Sequence, residues 1–147
     1  MIVIDNNVLV QLLTDKQASD KLSRYLQQHN QTLLIPAPVL AEFLAADFNQ
    51  RHITFLTMSS SRSQLVPFDY KAALICGQIT FELNKVKTEK PKQQVKVDLQ
   101  IVAIALASQA KSILTEDRGI SNTIVALSLP LKVITLEDIP NDMPLFD

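Results

Sequence analysis

The sequence predicts an α/β domain in which helices cover both faces of a parallel sheet. Three features point there. Short apolar, β-branched runs alternate with longer stretches of helical periodicity, a pattern that builds parallel strands joined by right-handed helical crossovers. One stretch, Asp98–Ala110, is apolar on nearly every side of a helical wheel, as suits a helix inside a domain. The 147 residues suffice for one core and fall short of two typical ones, so a single domain is expected over 1–147.

The elements follow in chain order. Ile2-Val3-Ile4 reads as the first strand, with Asp5 at its end. Ligands of parallel α/β sheets bind beyond the carboxyl ends of the strands, so Asp5 stands where chemistry occurs. It can equally cap a short helix starting at Asn6. Ala18–Gln28 puts Leu22, Tyr25 and Leu26 on one helical face, and Leu33–Ile35 is the second strand. Pro38–Phe48 repeats apolar residues at helical spacing around Glu42. The neighbours of Glu42 at three and four residues are Pro38, Val39, Ala45 and Ala46, with no Lys or Arg to pair it. A carboxylate packed there without a partner is costly unless a cation neutralises it. Glu42 is therefore expected to be buried and to need a metal.

Ser59-Ser60-Ser61 is a loop, Leu65–Val66 the third strand, and Asp69–Leu83 a helix through Ala73, Ile75, Ile79 and Leu83. Lys85, Lys87, Lys90, Lys92 and Lys96 then crowd one stretch in which Glu89 is the only acid. On a chain of net charge −1 such a segment either steers a polyanion or is a solvated loop. Asp98 heads the apolar helix, as a cap or as a ligand. Ser112–Leu114 is the fourth strand; Thr115-Glu116-Asp117 follows it and Arg118-Gly119 turns the chain. Lys132–Thr135 is the fifth strand, and the tail beyond Leu136 is acidic.

Composition narrows the chemistry. With Gly77 and Gly119 as the only glycines, the closely spaced glycines of a dinucleotide fold or a P-loop are absent. His29 and His52 lie in polar surroundings and leave no His/Cys constellation, so a metal here would be a hard ion held by carboxylates. Cys76 has no internal partner and reads as a buried thiol of the cytoplasm. The N-terminus lacks a basic region and a cleavage site, and no apolar run approaches a bilayer span. A cytoplasmic location away from membranes is expected. Asp5, Glu42, Asp98 and Asp117 then share one explanation, a pocket that holds a divalent cation against a phosphodiester.

Four segments carry a family resemblance. Ile2-Val3-Ile4-Asp5-Asn6-Asn7-Val8-Leu9, Pro36-Ala37-Pro38-Val39-Leu40-Ala41-Glu42-Phe43, Asp98-Leu99-Gln100-Ile101-Val102-Ala103-Ile104-Ala105 and Leu114-Thr115-Glu116-Asp117-Arg118-Gly119-Ile120 resemble, in order, the acidic motifs of the PIN-domain nucleases. Within that family the chain is similar to the short VapC-type toxins of toxin–antitoxin pairs, from residue 1 to about residue 135. The resemblance implies a five-stranded parallel sheet between helical layers and a Mg²⁺- or Mn²⁺-dependent endoribonuclease. It also implies homodimers and a cognate antitoxin protein. It makes Asp5, Asp98 and Asp117 the principal metal ligands, with Glu42 binding metal directly or through water. Asn7 and Thr115 become polar supports of the pocket. Asn6 departs from the family, which usually has Thr or Ser there. Lys96, two residues before Asp98, is placed to reach an RNA phosphate, with Lys90 and Lys92 behind it. The alternative is a non-catalytic PIN domain that binds RNA or protein, against which the intact set of acids argues. A phosphatase or receiver domain is disfavoured because Asn6-Asn7 supplies no second acid.

Overall fold

The structure is a computed structural model and describes residues 1–57, 62–86 and 96–141. Five strands, β1 (Ile2–Ile4), β2 (Leu33–Pro36), β3 (Ser63–Val66), β4 (Ser112–Leu114) and β5 (Lys132–Ile134), form one sheet in the order β3-β2-β1-β4-β5. Every pairing is parallel. β1, β2 and β4 are short and rich in Ile, Leu and Val because both faces are covered; Val3, Ile4, Ile113 and Leu114 are fully buried.

Seven helices connect these strands among the described residues: α1 (Asn6–Thr14), α2 (Lys16–Gln28), α3 (Ala37–Ala45), α4 (Phe48–Thr57), α5 (Tyr70–Val86), α6 (Val97–Ala107) and α7 (Arg118–Ala126). The chain steps from β1 through β2 to β3 in one direction, then returns past β1 to β4 and β5. With right-handed crossovers this reversal sends α1–α4 and α5–α7 to opposite faces. α6 packs on β1 and β4 and also meets α3, α5 and α7. Its Leu99, Ile101, Val102, Ala103, Ile104 and Ala105 are all buried, as a helix apolar all round requires. No helix is long and apolar enough to cross a membrane among the described residues.

Several boundaries differ from the sequence reading. β3 begins two residues earlier, at Ser63; it is an edge strand with Gln64 and Leu65 exposed, so its polar start carries no apolar signal. α4 was not legible because none of its residues is buried. α7 replaces the turn expected at Arg118-Gly119, with only Ile120, Thr123 and Ile124 buried over nine residues. The Lys-rich segment that includes Lys90 and Lys92 lies outside the described residues, as does the Ser59–Ser61 loop. Three helices end alike. Asn30, Gln109 and Ser128 adopt left-handed φ of 50°, 57° and 50° just past α2, α6 and α7. In each case the next amide reaches back to the helix: Gln31 to Leu26, Ala110 to Ala105 and Leu129 to Ile124, all at 2.9 Å. These are Schellman ends built without glycine.

Candidate active site

The sheet register creates the site. Val3 pairs with Ile113 and Ile4 with Leu114, so Asp5 and Thr115 leave neighbouring central strands side by side. This is where the strand order reverses, the usual crevice of an open α/β sheet. Asp5, 4% exposed, caps α1 by accepting the Val8 N–H at Oδ1, 3.0 Å away. Its Oδ2 accepts the Thr115 hydroxyl. The Thr115 oxygen in turn accepts the Asp117 N–H at 2.9 Å, and Thr115 is almost wholly buried. One hydroxyl thus couples the first acid to the fourth.

Asp117 caps α7, its Oδ1 accepting the Gly119 N–H at 2.6 Å. The neighbouring Glu116 turns elsewhere and accepts the Leu136 N–H at 3.2 Å, which separates the two adjacent acids. Asp98 lies in the first turn of α6, where Lys96 is the N-cap and no side chain caps the helix. Capping therefore does not account for Asp98. A Cβ on Gly119 would stand 3.0 Å from Asp117 Oδ1 and 3.2 Å from Asp98 Oδ2. Both carboxylates thus close over one bare backbone position, a requirement that sequence reading treated only as a turn.

The acids burden one another electrostatically. Burial pushes the Asp5 carboxyl up, and the charge of Asp117 adds to this; the Thr115 hydroxyl and the Val8 and Asn7 amides oppose it. Burial, then the charges of Asp117 and Asp5, raise Asp98 against the pull of Lys96. Glu42 is raised by desolvation first and then by Asp98 and Asp5. Among the described residues, Lys96 is the one positive charge that opposes these shifts, and it acts on Asp98 alone. It is exposed at the entrance to α6.

One expectation needs correction. Glu42 is exposed, not buried, because α3 packs through Val39 and Phe43 and turns Ala41, Glu42 and Ala45 outward. Small apolar neighbours imitate a buried face without producing one. Glu42 still feels Asp98 and Asp5, so it borders the cluster from its open side. Asn7 is also exposed, and the buried oxygen belongs to its neighbour: Asn6 Oδ1 is inaccessible and has no hydrogen-bond partner. The only hint of this was the departure of Asn6 from the family pattern.

The orphaned acceptor on the residue after Asp5 and the mutually repelling carboxylates both call for an electropositive partner. The donors are all oxygens, which suits a hard divalent cation. Among the described residues no three His, Cys, Asp or Glu side chains form a ready-made cage. A small hard ion such as Mg²⁺ needs none, since it keeps most of its waters and takes one or two carboxylates.

A family model of the PIN domain matches residues 2–124, a span that contains all four acids. The chain belongs to the PIN domain family. Solved structures agree with the PIN fold seen here. VapBC2 from Rickettsia felis, bound to a promoter DNA fragment, aligns with a TM-score of 0.68 and 21% identity, covering 92% of this chain and 98% of that one. VapBC-1 from nontypeable Haemophilus influenzae aligns at 0.65 with 20% identity over 93% and 99%. FitAcB from Neisseria gonorrhoeae aligns at 0.62 with 19% identity over the same shares. No curated protein matches in sequence. At such identities the structural likeness establishes the fold, and the five-stranded parallel PIN architecture expected from the sequence is borne out.

Proposed function

We propose that this PIN domain is a Mg²⁺- or Mn²⁺-dependent endoribonuclease and the toxin of a toxin–antitoxin pair, acting in the cytoplasm. The observation that carries the nuclease reading is the junction at Gly119, where Asp98 and Asp117 converge while Thr115 ties Asp117 to Asp5. Asp5, Asp98 and Asp117 are the residues to hold the cation, with Glu42 reaching it directly or through water from the rim. Bound there, the cation would supply a water nucleophile at neutral pH and neutralise charge on the phosphoryl group.

The chain's own residues do the rest. Thr115 fixes the Asp5 carboxylate so that an oxygen is not free to rotate away. Gly119 leaves room for two carboxylates to approach. Lys96, exposed two residues before Asp98, would hold an RNA phosphate; Lys90 and Lys92, which lie outside the described residues, are further candidates for that role. Asn7, at the exposed start of α1, supports the pocket from its outer edge.

An antitoxin partner is supported by the structural neighbours, which are themselves VapBC and FitAcB assemblies. α4 keeps Phe48, Ile53 and Leu56 exposed, an apolar surface of the kind a protein partner covers. A homodimer belongs to the same proposal.

The decisive experiment compares the parent chain with Asp5→Asn and Asp98→Asn on RNA with and without Mg²⁺ or Mn²⁺. Cleavage should require the ion and disappear in both variants, while circular dichroism shows an intact fold. Undiminished cleavage by both variants would sink the site. Growth arrest on expression, relieved by Asp5→Asn, separates a toxin from a housekeeping nuclease.

A further inference from the structure

The parallel sheet sorts charge to its two edges. All five strands run the same way, so the segments that precede them share one edge and those that follow share the other. Asp5, Asp69, Asp117 and Asp138 follow β1, β3, β4 and β5, and Glu42 lies on the helix after β2. The segments that lead into the other four strands, 28–32, 58–62, 108–111 and 127–131, contain no Asp or Glu. They and the strand starts carry Arg62, Lys111 and Lys132 instead. A net charge of −1 therefore conceals an acidic edge and a basic one.

The basic residues are spread along that edge. β4 and β5 are neighbours, and the Lys132 N–H donates to the Lys111 carbonyl at 2.9 Å. Both lysines are exposed, and among the described residues neither pairs with a carboxylate. Arg62 precedes β3 at the far side of the sheet, where its guanidinium donates to the neutral Asn30 Oδ1 at 3.2 Å. Four strand spacings separate β3 from β5, about 19 Å. Helix ends do not account for the lysines. A helix C-terminus attracts cations within its last turn, and the last turns of α2, α6 and α7 contain no basic residue.

We propose that this edge binds the phosphate backbone of RNA, as an anchor separate from the cutting pocket. The inference rests on the ribonuclease reading, which makes the partner a polyanion. The acidic edge repels that polyanion unless a cation fills the pocket, so the substrate gains from a hold elsewhere. Cations cleared of acids grip phosphates whatever the bases. From Lys111 to Thr115 the strand covers about 13 Å. A short oligonucleotide in the pocket does not reach back to the lysines, whereas an RNA that continues round the domain does. The anchor thus favours substrates larger than the segment that is cut.

Fluorescence anisotropy of a labelled RNA hairpin, with chelator present, reads the anchor without cleavage. Lys111→Glu/Lys132→Glu should weaken binding about tenfold at low salt and reduce the steepness of its salt dependence by about 2. Lys111→Gln/Lys132→Gln should act in the same direction, and Lys111→Arg/Lys132→Arg should bind like the parent, all with unchanged circular dichroism. In Mn²⁺, cutting of a tetranucleotide should be the same in the parent and the Glu variant, while KM for the hairpin rises about tenfold in that variant. Equal hairpin binding and equal salt dependence in the parent, Gln and Glu proteins overturn the proposal. An equal loss on hairpin and tetranucleotide overturns it too, because edge and pocket would then be one surface. A parent chain that does not bind the hairpin also overturns it and leaves the edge to an acidic protein. Charge-dependent hairpin binding without any cutting would sink the nuclease reading and leave the anchor standing.

Discussion

The Thr115 hydroxyl donates a hydrogen bond to Asp5 and accepts one from the Asp117 amide, so a methyl in its place strands two groups at once. Thr115→Val should cost about 1–3 kcal/mol in urea unfolding, the range for orphaning a buried polar partner. Ion affinity, read by calorimetric Mn²⁺ titration, should fall roughly 10–100-fold. Thr115→Ser should keep most of both. The acids set a pH dependence of definite sign. Asp5, Glu42 and Asp98 all hold their protons more tightly in the folded chain than their ordinary values of 3.8, 4.5 and 3.8. The native state therefore binds more protons than the unfolded one. Metal-free stability should decline as pH rises from those ordinary values through the raised ones. Asp98→Asn should flatten this decline and stabilise the metal-free chain at neutral pH, with no gain in acid below both values. Thermal melts of the two proteins across pH with chelator present would check it; a parent chain that gains stability over that range would contradict the electrostatic picture. Asp5 and Asp117 were visible in the sequence because they follow strands. A capping role was visible for Asp5, while Asp117 read only as a turn residue; the structure shows capping and clustering together in both, one oxygen for each role in Asp5. Glu42 was misjudged because alanines look alike whether buried or not, and Asn6 because no sequence rule reports an unsatisfied oxygen.

At the scale of elements, three helix ends hold non-glycine residues in the left-handed region. Gln109 holds a left-handed φ of 57° after α6, a conformation that costs a non-glycine residue about 1–2 kcal/mol. Gln109→Gly should relieve part of that and raise the unfolding midpoint. Offsetting losses in the unfolded chain limit the net gain to about 1 kcal/mol. α6 itself is the mechanical centre. Ile104 is fully buried, and Ile104→Ala should destabilise by about 2–5 kcal/mol, whereas Val125→Ala on exposed α7 should stay within about 0.5 kcal/mol. The same contrast explains what the sequence disclosed. α6 announced itself by being apolar throughout, α2 and α5 by one buried stripe. α4 buries no residue and α7 buries only two apolar side chains, so neither could be heard above the loops around them.

At the scale of the molecule, function comes from strand order. Asp5 and Asp117 are more than a hundred residues apart in the chain, yet β1 and β4 are neighbours and their ends coincide. Alternating elements announced a parallel sheet; the order β3-β2-β1-β4-β5 was not legible, because local periodicity carries no information about which strands meet. Filling the pocket with Mn²⁺ should stabilise the whole fold, and more so as pH rises, since the ion competes with the protons that the raised carboxyls retain. A melting shift in Mn²⁺ that is the same at low and neutral pH would argue that the ion binds elsewhere.

The central place of β1 has a bearing on synthesis. β1 waits for β4, whose partner residues Ser112, Ile113 and Leu114 come much later in the sequence, and contacts of that span close late. The helix that carries Asp98 and the turn that carries Asp117 arrive with it. A nascent PIN chain therefore remains without its acidic pocket until β4 and the turn behind it have been made.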